Sequence, residues 1–471
     1  MNWGAHSWRP VIAFSAVALV LRLIPILLAA DMGIALDDMF QYDALAESIR
    51  LGQGFTWYGG IPTAARAPLY PLFLAVVYSL FGHSFTAARV AQALVASLLP
   101  AVVYVLGRRM FSGRVGVAAA WAVAVYPMFL LYPLGLATEN LFFLLVPLTV
   151  LCLVMAVDNS RPSYFLLSGL LLALTILTRS VIAVFVVFIL PWLWCYGTPG
   201  RVAIKRWVLI LLPVVALTLP WSIRNSLLYG RLAFVESSLG FNVYLGYHPQ
   251  GTGTFDSPIA VDFLERIGAF EHPNLETEKA ADELGLEEGL RFIREDPGRA
   301  AWLLLSKLSH FLRLDKRVLV YFYSNNFLGE LSPWALAAIF LVLCLPWVVV
   351  LLLSVPGMVL SRLTKETMLI YLLFAYLVGV HVLTMAEPRF HLVMVPFLGI
   401  FAAQGAVLLR RMKRDYHAGA VQERRSVRWM VALIVLLVIL LLVNWAYELH
   451  VDMEKLRILF AAGGNTARFT Y

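Results

Sequence analysis

Asp37 and Asp38 are adjacent carboxylates set just after an apolar run, Val11 to Ala30, that is long enough to cross a bilayer. Two such acids at a membrane surface repel each other and tend to share a proton or bind a cation. Further ionisable residues stand on short turns elsewhere in the chain. Glu139 lies in Thr138-Glu139-Asn140, Arg179 in Leu177-Thr178-Arg179-Ser180, and Arg66 in Arg66-Ala67-Pro68-Leu69-Tyr70-Pro71. Arg224 follows Pro220-Trp221-Ser222-Ile223, and Glu387 and Arg389 lie in Ala386-Glu387-Pro388-Arg389-Phe390-His391. A carboxylate can take the proton of an attacking hydroxyl. An arginine can hold two phosphate oxygens at once and stabilise charge on a departing phosphate. The set therefore suits transfer of a group from a phosphate held at a membrane interface.

These residues need a scaffold that brings distant turns together, and composition says what kind. Of 471 residues 61% are hydrophobic and only 14% charged, with mean hydropathy +0.79, against about 25% charged in a soluble domain. The expectation is an all-α polytopic membrane protein with about eleven spans of roughly 20 residues each. They fall near 11–30, 85–107, 115–135, 139–157, 163–179, 180–196, 207–223, 332–354, 367–385, 391–409 and 429–446. With the N-terminus on the cytoplasmic side, the short basic loops all share that side. They carry Arg108, Arg109 and Arg114, then Arg161, then Arg201, Lys205 and Arg206, then Arg362 and Lys365, then the cluster from Arg410 to Arg428. That distribution obeys the positive-inside rule and accounts for the net charge of +8 without nucleic acid. Asp37, Glu139, Arg179, Arg224 and Arg389 then gather at the opposite, outer face. The three cysteines all sit in apolar runs, with no disulfide or zinc spacing.

Three modules are expected: an N-terminal membrane part over 1–223 with its first outer loop at 31–83, a second outer segment over 224–330, and a C-terminal membrane part over 331–471. In the first loop, Tyr42 to Ile49 reads as helix stopped by Leu51-Gly52, and the apolar stretch Leu69 to Phe81 is short enough to lie at the interface. In the second, Leu275 to Arg294 reads as an acidic helix, and Pro297 opens another running to Leu314 with an apolar face, as in interfacial helices.

The alternative for any one of these charges is a structural ion pair that locks a turn. Arg22, inside the first span, reads as a snorkelling or paired structural charge. His248 and His391 read as polar loop residues with no metal-ligand spacing between them. No nucleotide-binding glycine loop is present, so a soluble nucleotide sugar is not suggested. A transporter would carry ionisable groups near the membrane midplane, where only Arg22 is conspicuous. A lipid-linked saccharide polymerase or ligase would share the spans and the large outer loop.

The chain resembles the GT-C glycosyltransferases, in particular the bacterial relatives of protein O-mannosyltransferases and of the lipid A aminoarabinose transferase (glycosyltransferase family 39-like). The likeness is carried by Asp37-Asp38, where that family usually has Asp-Glu, and by Tyr42 through Gly54. It continues in Arg66-Ala67-Pro68-Leu69-Tyr70-Pro71, Thr138-Glu139-Asn140, Pro220-Trp221-Ser222-Ile223-Arg224-Asn225, Phe292 through Pro297 and Glu387-Pro388-Arg389-Phe390 with Pro396. The resemblance implies a GT-C fold in a bacterial inner (plasma) membrane, with the active site facing the periplasm or exterior. It implies a polyprenyl-phosphate sugar donor, a glycan, glycolipid or protein acceptor, and inversion at the anomeric carbon. Asp37 becomes the expected base, with Asp38 and Glu139 orienting it, contacting substrate or holding a divalent cation. Arg66, Arg179, Arg224 and Arg389, with Tyr70 and Glu387, become the expected substrate and phosphate contacts. No obligatory cofactor is expected.

Overall fold

The computed structural model describes residues 8–29, 33–34, 37–57, 59–195, 199–270, 274–324, 326, 328–417 and 425–466, and of Trp8, Asp37, Tyr321, Ser324, 415–417 and 425–427 the backbone alone. Every regular element among them is helical. The first apolar run forms α1 (Trp8–Leu28). Asp37 and Asp38 then open α2 (Asp37–Arg50), so both acids belong to a helix N-terminus, where unpaired amides favour negative charge. Gly52, at φ +75°, ends that helix where the sequence predicts a stop. The proline-rich entry of the first loop leads into α3 (Leu69–Phe81), short as expected.

The remaining N-terminal helices are α4 (Phe85–Ala96), α5 (Leu99–Met110), α6 (Gly113–Ala124), α7 (Pro127–Leu131), α8 (Glu139–Asn159), α9 (Pro162–Thr178), α10 (Phe185–Cys195) and α11 (Gly200–Tyr229). The segment expected at the outer face supplies α12 (Leu239–Tyr247), α13 (Ser257–Arg266), α14 (Leu275–Glu295), α15 (Pro297–Phe311) and α16 (Arg317–Ser324). The expected helices at 275–294 and after Pro297 are α14 and α15. The C-terminal part follows with α17 (Pro333–Leu360), α18 (Lys365–Leu383), a 3-10 turn over Pro388–Met394, α19 (Val395–His417), α20 (Arg425–Val451) and α21 (Met453–Phe460).

Eight helices among the described residues are long and apolar enough to cross a membrane, or nine if α6 and the Pro127–Leu134 piece, bent by 53°, form one broken span. The figure of about eleven is therefore not fixed by length and composition. The two expected spans at 163–179 and 180–196 are the 17-residue α9 and the 11-residue α10. At 1.5 Å per residue α9 rises roughly 26 Å, short of a hydrocarbon core of about 30 Å. The break between them falls at Arg179, where the sequence places it.

One apolar core runs through α5, α6, α8, α9, α10, α17, α18 and α19. Side chains drawn from lipid into such a core gain packing rather than relief from water, so close backbone approach matters. α17 and α19 meet at Gly357 and Gly405, where a Cβ on Gly357 would collide with Phe401 O and one on Gly405 with Leu353 O. The 3-10 turn at Pro388–Met394 runs straight into α19, so this rigid pair of helices is the base on which Arg389 is mounted.

The outer segment is fastened to the rest by charge. Glu278 of α14 accepts from Trp57 Nε1 (3.1 Å), Thr63 Oγ1 (2.6 Å), Ala64 N (2.9 Å) and Tyr229 OH. Lys316 pairs with Glu448 and, at 2.7 Å, with Asp452 at the end of α20. Arg317 pairs with Glu387.

Candidate functional site

The first loop and three distant turns supply one cluster. Arg66, held in the extended entry to α3, donates from Nη2 to Asp38 Oδ1 at 2.7 Å and from Nε to Gln41 Oε1 at 2.8 Å. Gln41 lies one helical turn after Asp38, so a single face of α2 receives the whole guanidinium. The Tyr42 ring lies 5.7 Å from that guanidinium. Arg389 comes from the opposite end of the sequence, and its Nη1 stands 3.6 Å from Asp38 Oδ2. Burial works against the Asp38 carboxylate, but Arg66, then Arg389, Arg179 and Arg317, outweigh it and hold the carboxyl below its ordinary range.

A second acid–arginine unit adjoins the first. Glu139 is the first residue of α8, and Arg179 occupies the extended break between α9 and the next turn. Arg179 Nη1 lies 2.7 Å from Glu139 Oε1 and donates to Thr138 Oγ1 at 3.0 Å. The Phe390 ring is shared, 5.8 Å from the Arg179 guanidinium and 5.6 Å from that of Arg389. These arginines are not sealed in: Arg66, Arg179 and Arg389 keep 24, 24 and 36% of their side-chain surface open, and Asp38 keeps 42%. Arg389 Nε is buried and has no hydrogen-bond partner. The cluster is thus a half-open cleft rich in guanidinium donors.

The other expected contacts turn their polar groups to partners outside the cluster. Arg224 spends its donors on the first loop, on Thr63 O and Phe55 O (3.2 Å), and on its α11 neighbour Asn225 Oδ1 (2.9 Å), with its guanidinium 4.9 Å from the Trp221 ring. Those acceptors are neutral, so Arg224 braces the hairpin that carries Arg66. Glu387 is buried and accepts from Thr254 Oγ1 (2.7 Å) and Phe255 N (2.9 Å) besides pairing with Arg317, so its carboxylate holds the outer segment. Tyr70 is fully buried, its hydroxyl donating to Gln92 Oε1 and its ring edge-on to Tyr42 at 5.1 Å, so it supports α2 from behind. The Asp37 side chain lies outside the described residues. Asp38 and Glu139, for which holding a divalent cation was one of three expected roles, each face an arginine, and no group of three or more His, Cys, Asp or Glu gathers among the described residues.

Sequence reading missed several partners. Glu236 accepts from Ser180 N at 3.1 Å and from its hydroxyl, bracing the turn that carries Arg179. Gln41 fixes Arg66. Asp315-Lys316-Arg317 is a run of three charges at the end of an apolar helix, a signal that was available, and each of the three finds a separate buried partner. Arg22 is fully buried and neither snorkels nor meets a carboxylate among the described residues: Nη1 donates to Ala18 O at 3.0 Å, while Nε and Nη2 have no hydrogen-bond partner.

Residues 65–223 match the family described as dolichyl-phosphate-mannose-protein mannosyltransferase, a stretch that holds Arg66, Glu139 and Arg179. No curated protein matches the chain significantly. Among solved structures, the chain superposes over 100% of its length on the archaeal oligosaccharyltransferase AglB from Archaeoglobus fulgidus, solved with an inhibitory peptide and a dolichol-phosphate, with TM-score 0.50 and 15% identity. The chain has the GT-C fold. The same archaeal oligosaccharyltransferase tethered to an acceptor peptide containing the NVT sequon gives TM-score 0.50 at 13% identity, again over 100% of the GT-C chain. ArnT from Cupriavidus metallidurans bound to undecaprenyl phosphate gives TM-score 0.42 and 16% identity over 85% of the chain and 77% of ArnT. The GT-C chain described here spans 62% of the length of the first archaeal structure and 61% of the second.

Proposed function

We propose that this chain is an integral-membrane glycosyltransferase that moves a sugar from a polyprenyl-phosphate-linked donor to a glycan, glycolipid or protein acceptor at the outer, periplasmic face of a bacterial inner membrane. The observation that carries this reading is the half-open cleft in which Arg66 and Arg389 flank Asp38 beside the Arg179–Glu139 unit, on a GT-C fold. The apolar helices would hold the lipid tail, leaving its phosphate at the depth of these guanidinium groups. The modules over 1–223, 224–330 and 331–471 are read as catalytic, capping and supporting parts.

In the reaction, the acceptor hydroxyl attacks the anomeric carbon, its proton goes to a carboxylate, and the bond from that carbon to the phosphate oxygen breaks. Polyprenyl phosphate departs with the bonding electrons, and a single displacement inverts the centre. We assign the base to Asp37. Asp38 is committed to two arginines and stays ionised with little basicity, which suits a positioning role beside it. Arg389 and Arg179 would neutralise the leaving phosphate, with Arg66 and Glu139 setting their places.

The test is mass spectrometry of lipid-linked sugars and envelope glycans in cells with and without the gene. A lost glycan modification with accumulation of one polyprenyl-phosphate sugar is expected. Unchanged profiles of both would remove this reading.

A further inference from the structure

The turn that presents Arg389 is gripped on both sides by the same short stretch of the outer segment. Two residues before Arg389, Glu387 pairs with Arg317. Two residues after it, His391 meets Asp315. The second of these grips implies a particular proton. His391 Nδ1 lies 2.8 Å from Phe311 O, and a backbone carbonyl only accepts, so Nδ1 carries hydrogen. His391 Nε2 lies 3.1 Å from Asp315 Oδ1, off the line of a directed hydrogen bond, for Nε2 has no hydrogen-bond partner. A bare ring lone pair that close to a carboxylate oxygen would repel it, so the ring carries a second proton and the two groups meet by charge. Both side chains are buried, at 0 and 2% exposure, so water does not separate them.

Two features say where that proton resides. Tyr126 OH donates to Asp315 Oδ2 at 2.9 Å, which favours the ionised carboxylate. The His391 ring lies flat on the Trp347 indole, centroids 3.7 Å apart and planes 5° from parallel, a face that attracts a cation. We infer that His391 and Asp315 form an imidazolium–carboxylate pair which, with Arg317–Glu387, serves as a positioning device that aims Arg389 into the cleft. The pair is tied to the bent region between α6 and α7 through Tyr126, to α17 through Trp347 and to the end of α15 through Phe311 O. It therefore sets the turn against three separate elements at once. This inference rests on the reading of Arg389 as a donor-phosphate contact.

The experiment uses the full chain in detergent, a polyprenyl phosphate as the binding probe, and thermal unfolding as the control for folding. Asp315→Asn keeps an acceptor for Tyr126 and nearly the same shape. It is expected to weaken binding on the order of tenfold, the scale of a small misplacement of one binding group. Arg389→Lys should weaken it too, and the double variant should be little worse than Arg389→Lys alone, because the first change acts through Arg389. Additive losses, or wild-type binding by a folded Asp315→Asn protein beside a weakened Arg389→Lys, overturn the positioning role and leave the phosphate site standing. Wild-type binding by Arg389→Lys removes the phosphate reading and this inference with it. If Asp315→Asn does not fold, nitrogen-15 NMR of histidine in the wild type decides. Both His391 nitrogens protonated at neutral pH, in a signal that vanishes in His391→Asn, is the expected result, and a neutral ring there overturns the pair.

Discussion

Arg389 stands 3.6 Å from Asp38, too far for a tight hydrogen bond, while Arg66 holds the other oxygen of the same carboxylate at 2.7 Å. The looser of the two arginines is the one with an unpartnered Nε. That nitrogen is buried, so what Arg389 has open is the 36% of its side-chain surface left beside a loosely held Asp38.

That asymmetry separates the four candidate phosphate arginines. Lysine preserves charge but loses the fork. Arg389→Lys and Arg179→Lys should weaken donor binding while the protein stays folded, by about 1.5–3 kcal/mol for one lost hydrogen bond to a charged group. Arg224→Lys should instead lower the unfolding midpoint, because Thr63 O and Phe55 O lose their donors. Titration with a polyprenyl phosphate beside thermal unfolding reads both. Binding loss in a stable Arg224→Lys protein would return that residue to the site.

Asp37→Asn removes the proposed base at nearly constant size. Turnover should fall by roughly two to four orders of magnitude with donor binding kept. Near-native turnover by the purified variant would shift the role to another group.

Lys307 offers a test of packing outside the spans. It is fully buried, its Nζ has no hydrogen-bond partner and lies 3.3 Å from the centre of the Tyr247 ring, and burial pulls its pKa down from 10.5 to about 7. The unfolded chain therefore binds more protons than the folded one between these values, so stability rises with pH across that window. Burial raises the Tyr247 hydroxyl, which keeps it neutral there. Lys307→Met should flatten the rise in unfolding midpoint between about pH 7 and 10 and lift the midpoint at pH 7. An unchanged slope would show that Lys307 is charged in the fold or hydrated in both states.

Topology is checked by a cysteine at the exposed position Glu287 of α14, in a Cys195→Ser background because Cys195 is exposed while Cys152 and Cys344 are buried. An impermeant thiol reagent should label Glu287→Cys in intact inner-membrane-exposed spheroplasts, since the basic loops hold the other side. Labelling only after lysis would invert the arrangement.

Much of the site could be read before the fold because the costs are large. Ionisable groups at the ends of apolar runs are expensive, and Asp38, Arg66, Glu139, Arg179 and Arg389 do meet. Arg224, Tyr70 and Glu387 shared their motifs and turns but not their destination, since sequence position fixes depth along the membrane normal and not direction around it. Asp315 and Lys316 went unnoticed because their partners, Tyr126 and Glu448, lie far away in the chain. The number of spans stays open where α9 and α10 are short, because the apolar pattern places the break at Arg179 but does not say whether helices of 17 and 11 residues cross.

The length of α11 acts as a ruler. Its 30 residues rise roughly 45 Å against a hydrocarbon layer of about 30 Å. Arg224, near its far end, grips the first loop roughly 36 Å above the helix start by the same rise. With the basic start of α11 seated among one leaflet's headgroups, that grip falls at the level of the other leaflet's headgroups. The hairpin that feeds Arg66 into the cleft is thus suspended from a post whose top stands clear of the oil. The phosphate of a membrane-embedded lipid reaches this height while its chain stays behind.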